Sequence, residues 1–276
     1  MGLLMLLWLI SAWARIPLRV LHCLGAAAGV LVYLGSRDYR NKFDRQAQAA
    51  NLSKSQRWAA IAHSGRWAAE TPWIWLRPMK AVAQMVHCTE WKTADDAFAR
   101  GKGVILLTPH LGCYEAAGRA FACRRPLTVL YKPPKQVWLA DLLERHRGSG
   151  ELATAAATRS GVMQLMRVLK SGGTIGILPD QVPGLDQGVW VKFFGEPAYT
   201  MSLPGRLAEV SGAAVLIGVC ERLPKAAGWQ LHFRTMQEPF DAQSINDAME
   251  HLIREFPEQY IWGYNRFRQP RAEAAK

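Results

Sequence analysis

The sequence lacks the features that mark several classes of protein. Its five cysteines are scattered, with no Cys-x-x-Cys pair and no zinc-ligand spacing. This excludes a disulfide scaffold and a zinc site, and it indicates reduced thiols on the cytoplasmic side. Helix-turn-helix, zinc-finger and RNA-recognition patterns are absent, so we expect no nucleic-acid partner. No Gly-x-Ser-x-Gly nucleophile elbow is present, and no internal repeat or low-complexity linker divides the chain.

The composition describes a basic, well-cored protein. The 276 residues fit one medium-sized domain, or one domain with an appendage, and the 50% apolar content supports a sizeable core. Lys and Arg number 34 against 22 Asp and Glu, which gives a net charge of +12 and favours an anionic partner. Eleven tryptophans are many for this length, and tryptophan is enriched where membrane meets water.

The N-terminus is almost free of charge. Residues 1–36 contain only two charged side chains, and Pro17 divides the segment into the apolar runs Leu3–Ala14 and Val20–Gly35. The first run is too short to span a bilayer, which takes about 20 residues, and the second is marginal. We therefore expect residues 1–36 to be a membrane anchor, spanning or half-inserted, ahead of a catalytic domain over residues 37–276.

A cleaved secretory signal is the competing interpretation of this segment, with Ala26-Ala27-Ala28 as the cleavage site. No Lys or Arg precedes Leu3, so the positively charged start of a signal is missing, and we favour an uncleaved anchor. Positive residues follow the anchor and predict a body on the cytoplasmic face: Arg37, Arg40, Lys42 and Arg45.

The remainder alternates between helices and short apolar strands. The Ser53-x-x-Gln56 capping box opens a helix that we expect Thr71-Pro72 to end. An amphipathic helix begins near Arg159, and residues 137–147 are also predicted to be helical. Strands are predicted at Val104–Thr108, Leu127–Tyr131, Thr174–Leu178, Ala213–Val219 and Trp229–Phe233. This order predicts an α/β fold with a mixed, partly parallel sheet flanked by helices, behind the hydrophobic N-terminal helix.

A histidine precedes a glutamate by five residues at two places, His110–Glu115 and His146–Glu151. The spacing alone therefore decides nothing. His146 ends a charged helix and precedes Gly148-Ser-Gly150, which is typical of a solvated helix end. His110 follows the carboxyl end of an apolar strand, where open α/β sheets place their ligands. We take His110 as the candidate.

Helical geometry constrains this pair. Positions five apart in an unbroken helix point about 140° away from each other. His110 and Glu115 can therefore meet only if His110 lies in a turn and the helix begins near Gly112. A carboxylate that holds one imidazole nitrogen leaves the other as a base for a hydroxyl attacking an ester or thioester. The alternative is a histidine bonded to a carboxylate for packing alone.

The residues at 110–115, His-Leu-Gly-Cys-Tyr-Glu, resemble the His-x4-Asp/Glu motif of glycerolipid acyltransferases, most of all the lauroyl/myristoyl branch of lipid A secondary acyltransferases. Cys113-Tyr114 stands where members often have Asn-Trp. Lys132 stands in place of an arginine, and a lysine lacks the arginine's two-hydrogen-bond geometry toward a phosphate. Further blocks keep that branch's order along the chain: Tyr131-Lys-Pro133, Arg159-Ser-Gly161, Leu178-Pro-Asp-Gln181, Phe193-Phe-Gly195, Pro197-Ala-x-Thr200, Glu258-Gln-Tyr-Ile-Trp262 and Arg266-Phe-Arg268.

The resemblance implies an enzyme of the bacterial inner membrane that works at the cytoplasmic face without metal or cofactor. It implies transfer of an acyl chain from acyl carrier protein or acyl-CoA to a hydroxyl of a lipid A precursor or related lipid. His110 would be the general base and Glu115 its orienting partner. Arg159 and Lys132 would contact the acceptor's phosphate, or Arg159 would steady the oxyanion. The remaining implied substrate-binding residues are Asp180, Gln181, Phe194 and Gly195.

Three alternatives stay open from the residues alone. The acceptor can be a phospholipid or an ornithine lipid. The same base can activate water, which would make the protein a thioesterase. The charge and the N-terminal anchor also fit a non-catalytic, membrane-associated lipid-binding protein.

Overall fold

The computed structural model describes residues 12–132 and 151–270, so the helix predicted over 137–147, including His146, lies outside the described residues. The described helices are α1 Leu18–Gly35, α2 Arg37–Ala49, α3 Lys54–Trp75, α4 Met79–Ala83, α5 Trp91–Ala99, α6 Tyr114–Ala122, α7 Arg159–Lys170, α8 Leu203–Ser211 and α9 Ala242–Glu255. The strands are β1 Val86–His87, β2 Val104–Leu107, β3 Leu127–Tyr131, β4 Leu152–Ala156, β5 Thr174–Ile177, β6 Gly188–Phe193, β7 Glu196–Met201, β8 Ala214–Arg222 and β9 Trp229–Thr235.

Seven strands form one mixed sheet in the order β1-β9-β8-β2-β5-β3-β4. The five strands from β8 to β4 in this order run parallel, while β9 is antiparallel to β8 and β1 runs parallel with β9. The predicted α/β fold is therefore confirmed. Because the five parallel strands share one direction, the turns that follow them meet along one edge of the sheet, which we call the carboxyl edge.

The apolar strands are buried on both faces of this sheet. Ile105 and Leu107 of β2 enter one hydrophobic core, while Val104 and Leu106 enter the other. Alternate strand residues point to opposite faces, so a strand covered on both sides needs an unbroken apolar run. This is why short apolar segments of the sequence predict these strands.

The capping box that opens α3 is confirmed, since Ser53 and Gln56 exchange both of its hydrogen bonds. The expected end of this helix at Thr71-Pro72 is wrong, because α3 continues through Pro72 to Trp75. The residues after the proline, Trp73 and Ile74, are buried in the core. Their packing outweighs the backbone hydrogen bond that proline removes.

Helix α1 lies antiparallel along α3. The two backbones come close at Gly25 and Gly65, where a Cβ on Gly65 would lie 1.9 Å from the Gly25 carbonyl oxygen. Within the described residues, α1 is the one helix long and apolar enough to cross a membrane by length and composition. One side of it is buried against α3, while the other exposes Val20, Leu24, Leu31, Val32 and Leu34.

Three of the strands had no clear signal in the sequence. Strand β4, Leu-Ala-Thr-Ala-Ala, is too poor in large apolar residues to stand out. Strands β6 and β7 form an antiparallel hairpin outside the main sheet, joined by a turn at Phe194 and Gly195. The hairpin packs against α9, and the Phe194 backbone N–H donates to the Glu250 carboxylate at 2.6 Å.

Candidate active site

The turn after β2 carries His110, as the sequence predicts. Strand β2 ends at Leu107, and α6 begins at Tyr114. Gly112 has a φ of +63°, and a Cβ there would lie 2.1 Å from the Cys220 carbonyl oxygen, so only glycine fits. The turn is bonded to its neighbours: the Cys113 N–H donates to the Cys220 oxygen at 2.7 Å, and the Gly112 N–H to the Gln259 oxygen at 3.0 Å.

Asp180 holds His110 with two hydrogen bonds. The His110 backbone N–H donates to Oδ2 at 2.8 Å, and Nδ1 lies 2.7 Å from Oδ1. Since a carboxylate can only accept, Nδ1 carries the proton and Nε2 is left as the basic nitrogen. The Asp180 side chain is 2% exposed and that of His110 is 17% exposed, so the pair is open to solvent on the imidazole side alone.

The electrostatics of this pair favour an ionised aspartate. Burial raises the pKa of Asp180, but the His110 charge and its two hydrogen bonds outweigh burial and lower the pKa. Asp180 is therefore charged at neutral pH, when it can orient the imidazole and stabilise an imidazolium.

The structure places a different carboxylate on His110 from the one chosen by spacing. Glu115 lies half-buried in the first turn of α6, as predicted, but the oxygen at Nδ1 belongs to Asp180. Asp180 follows β5, the strand beside β2, and the Thr108 N–H donates to the Ile177 oxygen at 3.1 Å. Neighbouring parallel strands thus bring together two residues 70 positions apart, which no local spacing can reveal.

Other predicted and unpredicted side chains surround the imidazole. The exposed Gln181 places its amide nitrogen 3.2 Å from His110 Nε2, where it donates to the unprotonated nitrogen. The Tyr114 ring meets the imidazole edge-on, with centroids 5.0 Å apart, and Trp67 of α3 lies beyond Tyr114 at 6.3 Å. The open side of His110 is therefore lined by an amide and an aromatic ring.

A second layer fixes Asp180 from the C-terminal segment. Burial and the hydrogen bond to Asp180 raise the pKa of Tyr260 well above its usual value, so its hydroxyl stays a donor. The fully buried Arg266 lies close enough to Asp180 to lower its pKa, and donates to the Tyr199 carbonyl oxygen at 2.8 Å. Tyr260 and Arg266 lie in two blocks of the family resemblance, but the sequence analysis predicted no role for them.

Lys132 and Arg159 follow the neighbouring strands β3 and β4 at one end of the carboxyl edge. Lys132 follows β3, and Arg159 opens α7 just after β4. The Ala157 N–H, after β4, donates to the Tyr131 carbonyl oxygen at the end of β3 at 2.8 Å, so the two strand ends are adjacent. Both cationic side chains are exposed.

Phe194 and Gly195 occupy the hairpin turn, with φ of +47° and +78°. Two positive φ values are the mark of a tight turn that matches strand twist. Phe194 is buried, its ring 4.8 Å from that of Phe193 and 5.8 Å from that of Trp262. The structure thus brings His110, Asp180 and Gln181 together, while these two residues belong to a separate packed turn.

No metal centre is present in the part of the chain that the structure describes: no three His, Cys, Asp or Glu side chains there are grouped to hold an ion. The chemistry of these residues is acid–base and electrostatic. A histidine with a buried carboxylate behind it and an open Nε2 can take a proton from a hydroxyl.

Comparison with known proteins gives one consistent family. Residues 53–269 match the family model of bacterial lipid A biosynthesis acyltransferases. The chain is 25% identical to the lipid A biosynthesis lauroyltransferase of Escherichia coli K12 over 276 residues, covering 95% of this chain and 89% of that protein. It is 26% identical to the palmitoleoyltransferase of the same organism, covering 95% and 88%. A lipid A biosynthesis acyltransferase of Haemophilus influenzae is 28% identical over 179 residues, covering 61% and 54%.

Proposed function

The chain belongs to the family of bacterial lipid A biosynthesis acyltransferases, and from that premise we propose that it transfers a fatty acyl chain from acyl carrier protein to a hydroxyl of a lipid A precursor, with His110 as the base. The observation that carries the chemistry is the His110–Asp180 pair, which fixes the Nδ1 proton and leaves Nε2 facing the open side. This arrangement also argues against a purely lipid-binding protein.

The proposed reaction needs no acyl-enzyme. The acceptor hydroxyl displaces the Gln181 amide from Nε2 and gives its proton to that nitrogen as its oxygen attacks the thioester carbonyl. Asp180 stabilises the resulting imidazolium. The tetrahedral intermediate then collapses, the carbon–sulfur bond breaks, and the imidazolium proton passes to the leaving thiolate. The products are the acyl ester and the free thiol, and His110 is neutral again.

Arg159 and Lys132 are proposed to bind a phosphate of the acceptor. The strand ends that carry His110 and Arg159 are three strand spacings apart in the order β2-β5-β3-β4. At about 4.8 Å per spacing this is roughly 14 Å, which suits a head group extending from the reacting hydroxyl better than the oxyanion itself. Glu115 remains a proposed contributor to the site, from the first turn of α6.

We propose that residues 1–36 anchor the protein to the inner membrane on its cytoplasmic face, with α1 half-inserted and not spanning. Helix α1 follows α3 from the His22–Glu70 hydrogen bond to the Tyr33–Trp58 ring contact. A spanning α1 would carry α3 into the bilayer together with its charged and polar side chains Lys54, Arg57, His63, Arg66 and Glu70. An α1 lying in the membrane surface immerses only its exposed apolar side.

The proposed donor is acyl carrier protein, an acidic partner that suits the net charge of +12. Acyl-CoA is the matched alternative, because its thioester is the same and only the carrier differs. Both donors belong in the same experiment.

Purified full-length protein in mixed micelles is given acyl carrier protein or CoA thioesters, with and without a lipid A precursor. We expect acceptor-dependent release of thiol together with acylated lipid by mass spectrometry, and faster turnover with the carrier protein. Thiol release without acceptor would identify a thioesterase. Binding without turnover would identify a lipid-binding protein, and acylation of phospholipid or ornithine lipid alone would reject the lipid A acceptor.

A further inference from the structure

A cluster of charged side chains separate from the His110–Asp180 pair is buried next to α3. The Glu70 carboxylate accepts hydrogen bonds from Arg222 Nε at 2.9 Å, from Arg222 Nη2, and from His22 Nε2 at 2.8 Å. The Glu70 and Arg222 side chains are 0% and 1% exposed. The three residues come from α3, the end of β8 and the apolar helix α1.

The Glu70–Arg222 pair is ionised despite its burial. Burial raises the pKa of Glu70, but Arg222 and His22 outweigh it and lower the pKa to about 2. The neighbouring His63 accepts from Arg222 Nη1 at 3.2 Å, and burial with the nearby arginines lowers its pKa to about 3, so it is neutral. Apolar replacement of a buried ion pair is often neutral or stabilising, so fold stability does not account for this arrangement.

Arg222 reaches the turn that carries His110. Its Nη2 donates to the Gly112 carbonyl oxygen at 3.4 Å. Its own backbone is held by Gln259, whose side chain accepts from the Arg222 N–H at 2.7 Å and donates to the Arg222 carbonyl at 3.2 Å. The Gln259 carbonyl in turn accepts the Gly112 N–H. A closed set of hydrogen bonds therefore fixes the backbone two residues after His110.

The same cluster reaches the membrane-facing helix. His22 lies on the buried side of α1, and near it the Trp13 indole donates to the Ala69 carbonyl at 2.9 Å. Gly25 of α1 then meets Gly65 of α3 one turn further along. Helix α1 therefore contacts Glu70, the residue that holds Arg222 in place.

We propose that Glu70 is a positioning residue for the acyl transfer: through Arg222 it fixes the Gly112 turn that places His110, and through His22 it ties that turn to helix α1. This inference rests on the proposed function. It makes α1 part of the active-site scaffold in addition to a membrane contact.

The decisive variant is the double replacement Glu70→Leu/Arg222→Met, which removes the charges and fills their volume. We expect a folded protein with an unchanged or higher Tm and an unchanged KM for both substrates. We expect kcat to fall by about 10- to 100-fold, since small displacements of a catalytic group have effects of this size. The matched control makes the same exchange in the exposed pair Glu255 and Arg234, which should leave kcat at the wild-type value.

The variant His22→Leu keeps the Glu70–Arg222 pair. It tests the same inference if the double variant does not fold. We expect kcat to fall by about 3- to 10-fold with membrane pelleting retained, because one hydrogen bond to a charged group is lost. His251→Leu, which removes an exposed histidine–glutamate contact on α9, is its control and should leave kcat unchanged. Wild-type kcat in the folded double variant, or in His22→Leu if the double variant is unfolded, would overturn the inference. Absence of transfer by wild-type protein would instead overturn the proposed function.

Discussion

The centre of the carboxyl edge, at β2 and β5, and one end of it, at β3 and β4, are built in opposite ways. At β2 and β5, Asp180 and its second layer hold His110 by its backbone and its ring. At β3 and β4, Lys132 and Arg159 are exposed cations on long side chains. Proton transfer requires placement to a fraction of an ångström, whereas phosphate recognition tolerates a mobile cation. Substitutions of His110 and Asp180 should therefore lower kcat, and substitutions of Lys132 and Arg159 should act mainly on substrate binding.

The largest effect is expected from His110→Ala. Removing the proposed base should lower kcat by more than about 10³-fold while Tm and membrane pelleting are retained, because general-base catalysis contributes about 10²- to 10⁴-fold. Steady-state kinetics on the purified variant measure it.

His146→Ala is the control, since it removes the other histidine that precedes a glutamate by five residues. It should retain activity near that of the wild type. Equal losses in the two variants would remove the distinction between the two histidines that precede a glutamate by five residues.

The next largest effect separates the two carboxylates. Asp180→Asn should lower kcat by about 10²- to 10⁴-fold, because an amide can donate to Nδ1 and stabilise the wrong tautomer. Glu115→Gln should lower it less, as Glu115 keeps its place in the first turn of α6 in either form. Single-turnover rates for both variants test the order. A larger loss for Glu115→Gln would return the orienting role to the residue chosen by spacing.

The contact between His110 and Asp180 shows what the sequence can and cannot predict. The turn at His110, the start of α6 and the apolar strands follow from local residues: Gly112, the dipole preference of Glu115 and unbroken apolar runs. The partnership with Asp180 depends on β5 lying beside β2, a matter of strand order that no local pattern contains. The Glu70–Arg222 pair was missed for the same reason, since its members are 152 positions apart.

At the cationic end, Arg159→Ala should lower kcat/KM by about 10- to 150-fold, mostly through KM. A hydrogen bond to a charged group contributes roughly 1.5 to 3 kcal/mol, and each 1.4 kcal/mol is tenfold. An acceptor without its phosphate should lose a similar factor with wild-type protein, and the two losses should not add. Additive losses, or a fall confined to kcat, would assign Arg159 to the oxyanion. Both regions of the carboxyl edge would then act on kcat.

The smallest effect is expected at the hairpin turn between β6 and β7, which lies outside the carboxyl edge of the main sheet. Gly195 has a φ of +78°, and an alanine there meets no neighbouring atom, so Gly195→Ala should reduce stability by about 1 to 2 kcal/mol through backbone strain alone. Gly195→Asn should lose less, because asparagine tolerates this conformation. Both variants should keep wild-type kcat and KM below their unfolding temperatures, with the difference seen only in thermal melts. A KM increase in the well-folded Gly195→Asn variant would show instead that the turn contacts substrate, as the family resemblance implies, and would add the hairpin to the binding surface.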